Sequence, residues 1–143
     1  MATRTASAEW QGGVQDGKGT IASTSGAIDG QYSYSSRFEE GTGTNPEELI
    51  AAAHASCFSM ALSFGLANAG HVVDSVRTEA EVQLLKDGDG FAIDKITLRT
   101  VGRVPGIDAE TFQAAAEDAK VGCPISKALA AVGTIELEAT LEG

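Results

Sequence analysis

The chain has 143 residues, 43% of them hydrophobic and 21% charged, with a formal net charge of -10 and a pI near 4.5. That length fits one domain, residues 1–143, able to bury a core without disulfide staples, and the composition excludes a disordered tail. The acidity, with no basic run, argues against a nucleic-acid or anionic membrane partner, since no cationic patch exists to release counterions.

Residues 2–10 alternate, with Ala6, Ala8 and Trp10 on one side and Thr5, Ser7 and Glu9 on the other, which predicts a half-exposed strand. The opening MATRTASAEW carries no apolar run of the kind a secretory leader needs, so the expected location is the cytoplasm, where thiols stay reduced. GGVQDGKG (12–19) predicts a glycine-rich turn and TIAST (20–24) a second strand. YSYSSRF (32–38), rich in aromatic and hydroxyl residues, reads as a third strand, and EEGTGT (39–44) as an acidic loop.

A strong helix start follows: Asn45 as N-cap, Pro46 at the first helical position, and Glu47 and Glu48 facing the positive end of the dipole. The helix should run to Asn68 or Ala69 and stop at Gly70. Leu49, Ile50, Phe58, Met60, Leu62, Phe64 and Leu66 spread apolar side chains around nearly its whole circumference, which predicts a helix covered on all sides at the centre of the fold. His54, Ser56, Ser59 and Ser63 interrupt the apolar run and argue against a membrane span.

Residues 73–87 alternate as a strand and DGDG (87–90) predicts a hairpin turn. In FAIDKITLRTVGRV the apolar parity changes between Ile93 and Ile96, which places a bulge near Asp94–Lys95. PGID (105–108) ends that strand, and Asp108 caps a helix over 109–120. GCPISKALAAVG sets Pro124 at the start of a short helix ending at Gly133, and TIELEATLE (134–142) closes as an alternating strand. Strands around segregated helices make an α+β fold with mostly antiparallel sheets.

The two cysteines differ in surroundings. Cys57 lies mid-helix, too far from the helix start for the dipole to acidify it, and free cysteine on an apolar helix is more often packing than chemistry. If it reacts, another cation must lower its pKa. Cys123, in GCP, sits at a helix N-cap and by local rules is the more acidic thiol, although a small residue at a tight junction explains it equally well. His54 precedes Cys57 by three residues and could share its face, but no third group orients the imidazole, and a packed or hydrogen-bonded histidine is the favoured reading. The histidines and cysteines fall at no metal-ligand spacing, DGDG lacks the remaining calcium ligands, and GTGTNP lacks the lysine and glycine spacing of a phosphate loop.

SRFEEGTGTNPEELIAAAHASCFSMAL, followed by PGIDAETF and KVGCPISKAL, closely resembles the OsmC/Ohr family of osmotically inducible and organic hydroperoxide resistance proteins, over essentially the whole chain. The position of Arg37 is similar to the OsmC branch. The resemblance implies an OsmC-like fold with sheets packed around a long central apolar helix, an intertwined homodimer, and a thiol-dependent peroxidase that needs no cofactor or metal. It implies Cys57 as the peroxidatic thiol, Cys123 as the resolving thiol, and Arg37 and Glu47 as the pair that orients and ionises Cys57. An organic hydroperoxide would be the substrate and a dithiol, such as a dihydrolipoyl group, the reductant. Apolar residues such as Phe38, Phe58 and Met60 would favour alkyl hydroperoxides. Glu47 and Cys57 stand ten residues apart, about 15 Å of helical rise, so either the helix breaks or a second chain completes the site. The rival expectations are a non-catalytic redox sensor or stress-associated binding dimer, and a structural domain with two inert thiols.

Overall fold

The computed structural model of the chain describes residues 1–142, which divide into two compact units, Met1–Leu49 and the chain from Ile50 onward. In the first unit the predicted alternation and glycine turns give an antiparallel meander, β1 (Ala6–Gln11), β2 (Lys18–Ser23) and β3 (Asp29–Tyr32). Trp10 and Tyr32 pack ring against ring at 5.3 Å, and Gly19 is required between the strands because a Cβ there would enter the Tyr32 ring. The expected third strand over 32–38 is corrected. Strand β3 ends at Tyr32, and Tyr34–Phe38 form a short helix, α1. The reason is local: the Ser33 hydroxyl accepts from the Ser36 N–H at 3.1 Å while the Ser36 hydroxyl accepts from the Ser33 N–H at 2.8 Å, a reciprocal cap that outweighs the strand preference of the aromatics.

The long helix α2 spans Pro46–Asn68. Its start is fixed as expected, since Asn45 Oδ1 accepts from the Glu48 N–H at 2.7 Å. Its end is closed by Gly70 at φ +92° and by the His71 N–H bonded to the Leu66 carbonyl at 3.0 Å, a left-handed cap of the Schellman kind.

In the second unit β4 (Ser75–Asp87) and β5 (Gly90–Arg103) form a long antiparallel hairpin, turning at Gly88 with φ +60°. The register steps over Asp94, with Gln83 opposite Lys95 and Leu84 opposite Ile93, which is the bulge that the parity change predicts. Helix α3 (Ala109–Gly122) starts at Asp108, whose carboxylate accepts from the Thr111 N–H at 2.7 Å. Helix α4 covers only Pro124–Ala128; the expected end at Gly133 is corrected, because Leu129–Val132 close in turns instead. Strand β6 (Thr134–Leu141) returns to pair parallel with β5, the one parallel pairing among the four described.

One core holds this unit together. Phe58, Leu62 and Leu66 from α2 meet Ile96 and Leu98 of β5 and Phe112, Ala116 and Ala119 of α3, with Cys123 at its edge. Each of the large side chains contributes about 1.5–3 kcal/mol by leaving water. Gly102 admits the Phe112 ring where a Cβ would collide with it. Ser59, Thr78 and Thr100 link α2 to β4 and β5 through hydroxyl contacts of 2.7 and 3.0 Å. The expectation that α2 is covered on all sides is not met within the chain: Met60 stays 77% exposed and Phe64 69%. Helix α2 is also long and apolar enough by composition to cross a membrane, with mean hydropathy 1.6, yet Phe58, Leu62 and Leu66 lie in the core just described.

Candidate active site

The core packing of α2 against α3 carries Cys57 to the junction between α3 and α4, where Cys123 is the cap residue shared by both helices. Both cysteines are free thiols; Cys57 is half-buried and Cys123 is fully buried. The Cys57 and Cys123 side chains, 66 residues apart in sequence, lie close enough that each thiol shifts the titration of the other. Pro124 starts α4 with its N–H already missing, and beyond it the Ser126 N–H donates to Cys123 at 3.3 Å while the Ile125 N–H favours the ionised form of both thiols.

These contacts split the two thiols. Burial, the largest influence on Cys57, raises its pKa, the Cys123 contact adds to the rise, and the Ile125 N–H only partly opposes it. Burial also pushes Cys123 upward, but the Ser126 hydroxyl and N–H, the Cys57 S–H and the Ile125 N–H together outweigh it, so Cys123 lies below its ordinary value. The order agrees with the expectation from helix capping. None of the groups setting Cys57 is cationic.

Ser126 was not singled out from sequence. Its only local signal is its spacing, three residues after Cys123, which lets its N–H donate to the cap sulfur and its hydroxyl oxygen accept from the thiol. His54, fully buried on α2, brings Nε2 to 2.7 Å from the Ser126 hydroxyl. The favoured reading of a hydrogen-bonded histidine therefore acquires a partner, and that partner is Ser126.

A cavity of about 710 Å³ opens beside Cys57, walled by Met60, Ala61 and Phe64 of α2 and by Ala115 and Ala119 of α3. Its lining is mainly apolar, with Asp118 and His71 as the ionisable members besides Cys57. Of the three apolar residues expected near the thiol, Met60 lines this cavity. Phe58 turns into the core instead, and Phe38 belongs to the N-terminal unit.

Arg37 and Glu47 also belong to the N-terminal unit. The reciprocal serine cap sets α1 so that Arg37 falls in its last turn, and the Asn45 cap sets Glu47 in the first turn of α2. Asn45 also donates to the Ser36 carbonyl at 2.9 Å, tying the two helix ends together. The guanidinium then grips the carboxylate through Nε at 3.1 and 3.2 Å and a terminal nitrogen at 2.7 Å. Glu47 is buried, while the Arg37 side chain keeps 38% of its surface exposed. The Arg37 guanidinium also stands 5.4 Å from the centre of the Phe38 ring, so its plane is fixed from two directions. Among the described residues, no three His, Cys, Asp or Glu side chains are grouped to hold a metal ion.

A family described as OsmC-like protein matches residues 39–138. The chain is 50% identical over 132 residues to peroxiredoxin OsmC of Escherichia coli K12, covering 92% of each. It is 36% identical over 123 residues to the organic hydroperoxide resistance protein OhrB of Bacillus subtilis, covering 84% of this chain and 88% of the relative. The crystal structure of that OhrB is similar with a TM-score of 0.67 and 32% identity, covering 96% of this chain and 98% of the other. An OsmC-like protein from Mycoplasma pneumoniae shares the fold, with a TM-score of 0.78 at 14% identity and 99% coverage of both chains.

Proposed function

The chain belongs to the OsmC-like family, and we propose from this premise that it is a thiol-dependent peroxidase reducing organic hydroperoxides to alcohols. The observation that carries the reading is the proximity of two free thiols beside an apolar cavity large enough for an alkyl group. The relatives named for peroxide chemistry, peroxiredoxin OsmC and OhrB, support the same class of reaction.

In this reading the Cys57 thiolate attacks one oxygen of ROOH. An S–O bond forms, the O–O bond breaks, and the leaving alkoxide takes a proton to become ROH. Cys57 is now a sulfenic acid. Cys123 attacks its sulfur, an S–S bond forms and water leaves, which protects Cys57 from further oxidation. A dithiol of the dihydrolipoyl class then reopens the bridge by exchange. The apolar lining from Met60, Phe64 and Ala115 suits the alkyl part of the substrate, at about 25 cal/mol per Å² buried.

Cys57 needs help to ionise. Each pKa unit by which the thiolate is favoured takes about 1.4 kcal/mol of differential stabilisation, and one guanidinium in a desolvated site can supply several such units. The proposed source is Arg37, held flat by Glu47, which would also stabilise the departing alkoxide. Because about 15 Å of helical rise separates Glu47 from Cys57 along α2, the Arg37–Glu47 pair of one chain is proposed to complete the Cys57 site of a second. The exposed Met60 and Phe64 give such a homodimer apolar surface to bury.

Steady-state consumption of cumene hydroperoxide with dihydrolipoamide tests the proposal. Wild type should turn over many times and Cys57→Ser should not; a single stoichiometric reaction would instead favour a redox sensor.

A further inference from the structure

His54 is completely buried, and its Nε2 lies 2.7 Å from the Ser126 hydroxyl. The same hydroxyl oxygen stands 3.3 Å from the Cys123 sulfur. An unbroken line of side chains therefore joins a buried imidazole to one of the two thiols. The other ring nitrogen, Nδ1, is buried with no hydrogen-bond partner among the described residues. An unsatisfied buried nitrogen forfeits its hydration with nothing in return, a loss that an apolar side chain in the same space would avoid. Packing alone does not account for a histidine here.

We propose that Ser126 and His54 form a buried relay that accepts the Cys123 thiol proton as Cys123 attacks the oxidised Cys57. The inference rests on the reading of Cys57 as the attacking thiol and Cys123 as the resolving one. Ser126, which touches the reacting sulfur, passes the proton; His54, which acts through Ser126, is a positioning residue. The relay requires the tautomer with hydrogen on Nδ1 and a free lone pair on Nε2.

The step balances without another reactant. As the Cys123 sulfur bonds to the Cys57 sulfur, the S–O bond of the sulfenic acid breaks and hydroxide leaves. The Cys123 proton moves to Ser126 Oγ while the Ser126 hydroxyl proton moves to Nε2. The imidazolium then loses its proton as hydroxide becomes water. One sulfenic acid and one thiol give one disulfide and one water. Burial holds His54 below its ordinary pKa, so it is neutral and able to accept before the step and releases the proton readily after it.

Rapid-quench mixing of the reduced full chain with one equivalent of cumene hydroperoxide separates the steps, because intact mass distinguishes the sulfenic acid from the disulfide. His54→Gln keeps a donor near the Nε2 position but cannot accept a proton. It should slow disulfide closure about ten- to a hundredfold while sulfenic acid forms at the wild-type rate. Ser126→Ala should do the same and stands in if the first variant does not fold, and Ser126→Thr, which restores the hydroxyl, should recover closure. Disulfide closure at the wild-type rate in both His54→Gln and Ser126→Ala overturns the relay, as does an equal slowing of both steps. Failure of the underlying thiol assignment looks different: Cys57→Ser would still form a sulfenic acid, on Cys123, at the wild-type rate.

Discussion

Cys57 and Cys123 are neighbouring thiols shifted in opposite directions, Cys57 upward by burial and Cys123 downward by its hydrogen bonds, so the two are unequal before any partner or substrate arrives. The Cys123 sulfur accepts from the Ser126 N–H and offers its own hydrogen to the Ser126 hydroxyl, at 3.3 Å each. Cys57 is set chiefly by burial. A site built this way holds a resolving nucleophile ready in Cys123, and places the burden of activating Cys57 on a charge from elsewhere.

Each thiol removed singly should therefore fail in its own manner. Cys123→Ser, mixed with one equivalent of cumene hydroperoxide and dimedone, should yield a sulfenic acid adduct on Cys57 and stop there, because no resolving sulfur remains. Cys57→Ser should leave the hydroperoxide untouched. Peptide mass spectrometry reads both outcomes, and an adduct at Cys123 in the second variant would reverse the assigned roles.

Sharing of the site between chains can be read from mixed dimers. Neither Cys57→Ser nor Glu47→Ala homodimers should turn over well. A heterodimer of the two keeps one site with an intact Cys57 and, from the other chain, an intact Glu47 beside Arg37. Up to about half of the wild-type activity per dimer should return, as one of two sites is restored. Verified heterodimers without rescue would mean that each chain supplies its own pair.

The buried imidazole predicts a pH dependence of stability. Burial lowers the folded pKa of His54, so the unfolded chain binds more protons as the pH falls below the ordinary value of 6.5. The stabilisation linked to neutral His54 is fully present above pH 6.5 and is lost as pH falls toward the folded pKa, at no more than about 1.4 kcal/mol per pH unit for one proton. Urea unfolding at pH 7 and pH 5 should show a larger loss in wild type than in His54→Gln, with the carboxylates common to both. Equal losses would show that His54 titrates alike folded and unfolded.

Much of the architecture can be read from local chemistry. Asn45–Pro46 and Gly70 bracket α2 because capping is decided by neighbours in sequence, and the bulge at Asp94 follows from a parity change within one strand. The segment 32–38 misleads because its composition is that of a strand, whereas the pair Ser33 and Ser36 nucleates a helix that composition does not reveal. Residues 129–133 continue a helical composition that the structure abandons for turns. At the site, the difference between the thiols follows from the GCP cap, but the link from Cys123 through Ser126 to His54 does not. It joins residues 72 positions apart, and only the packing of α2 against α3 and α4 brings them together.

Alkylation of the reduced protein at pH 6 with limiting iodoacetamide, compared between wild type and Arg37→Met, addresses directly whether a guanidinium sustains the Cys57 thiolate. Wild type should be labelled at Cys57 before Cys123, and Arg37→Met should slow the labelling of Cys57 on the order of a hundredfold while leaving Cys123 as it was. Equal Cys57 rates in the two proteins, or Cys123 labelled first in wild type, would contradict the proposal that Arg37 activates Cys57.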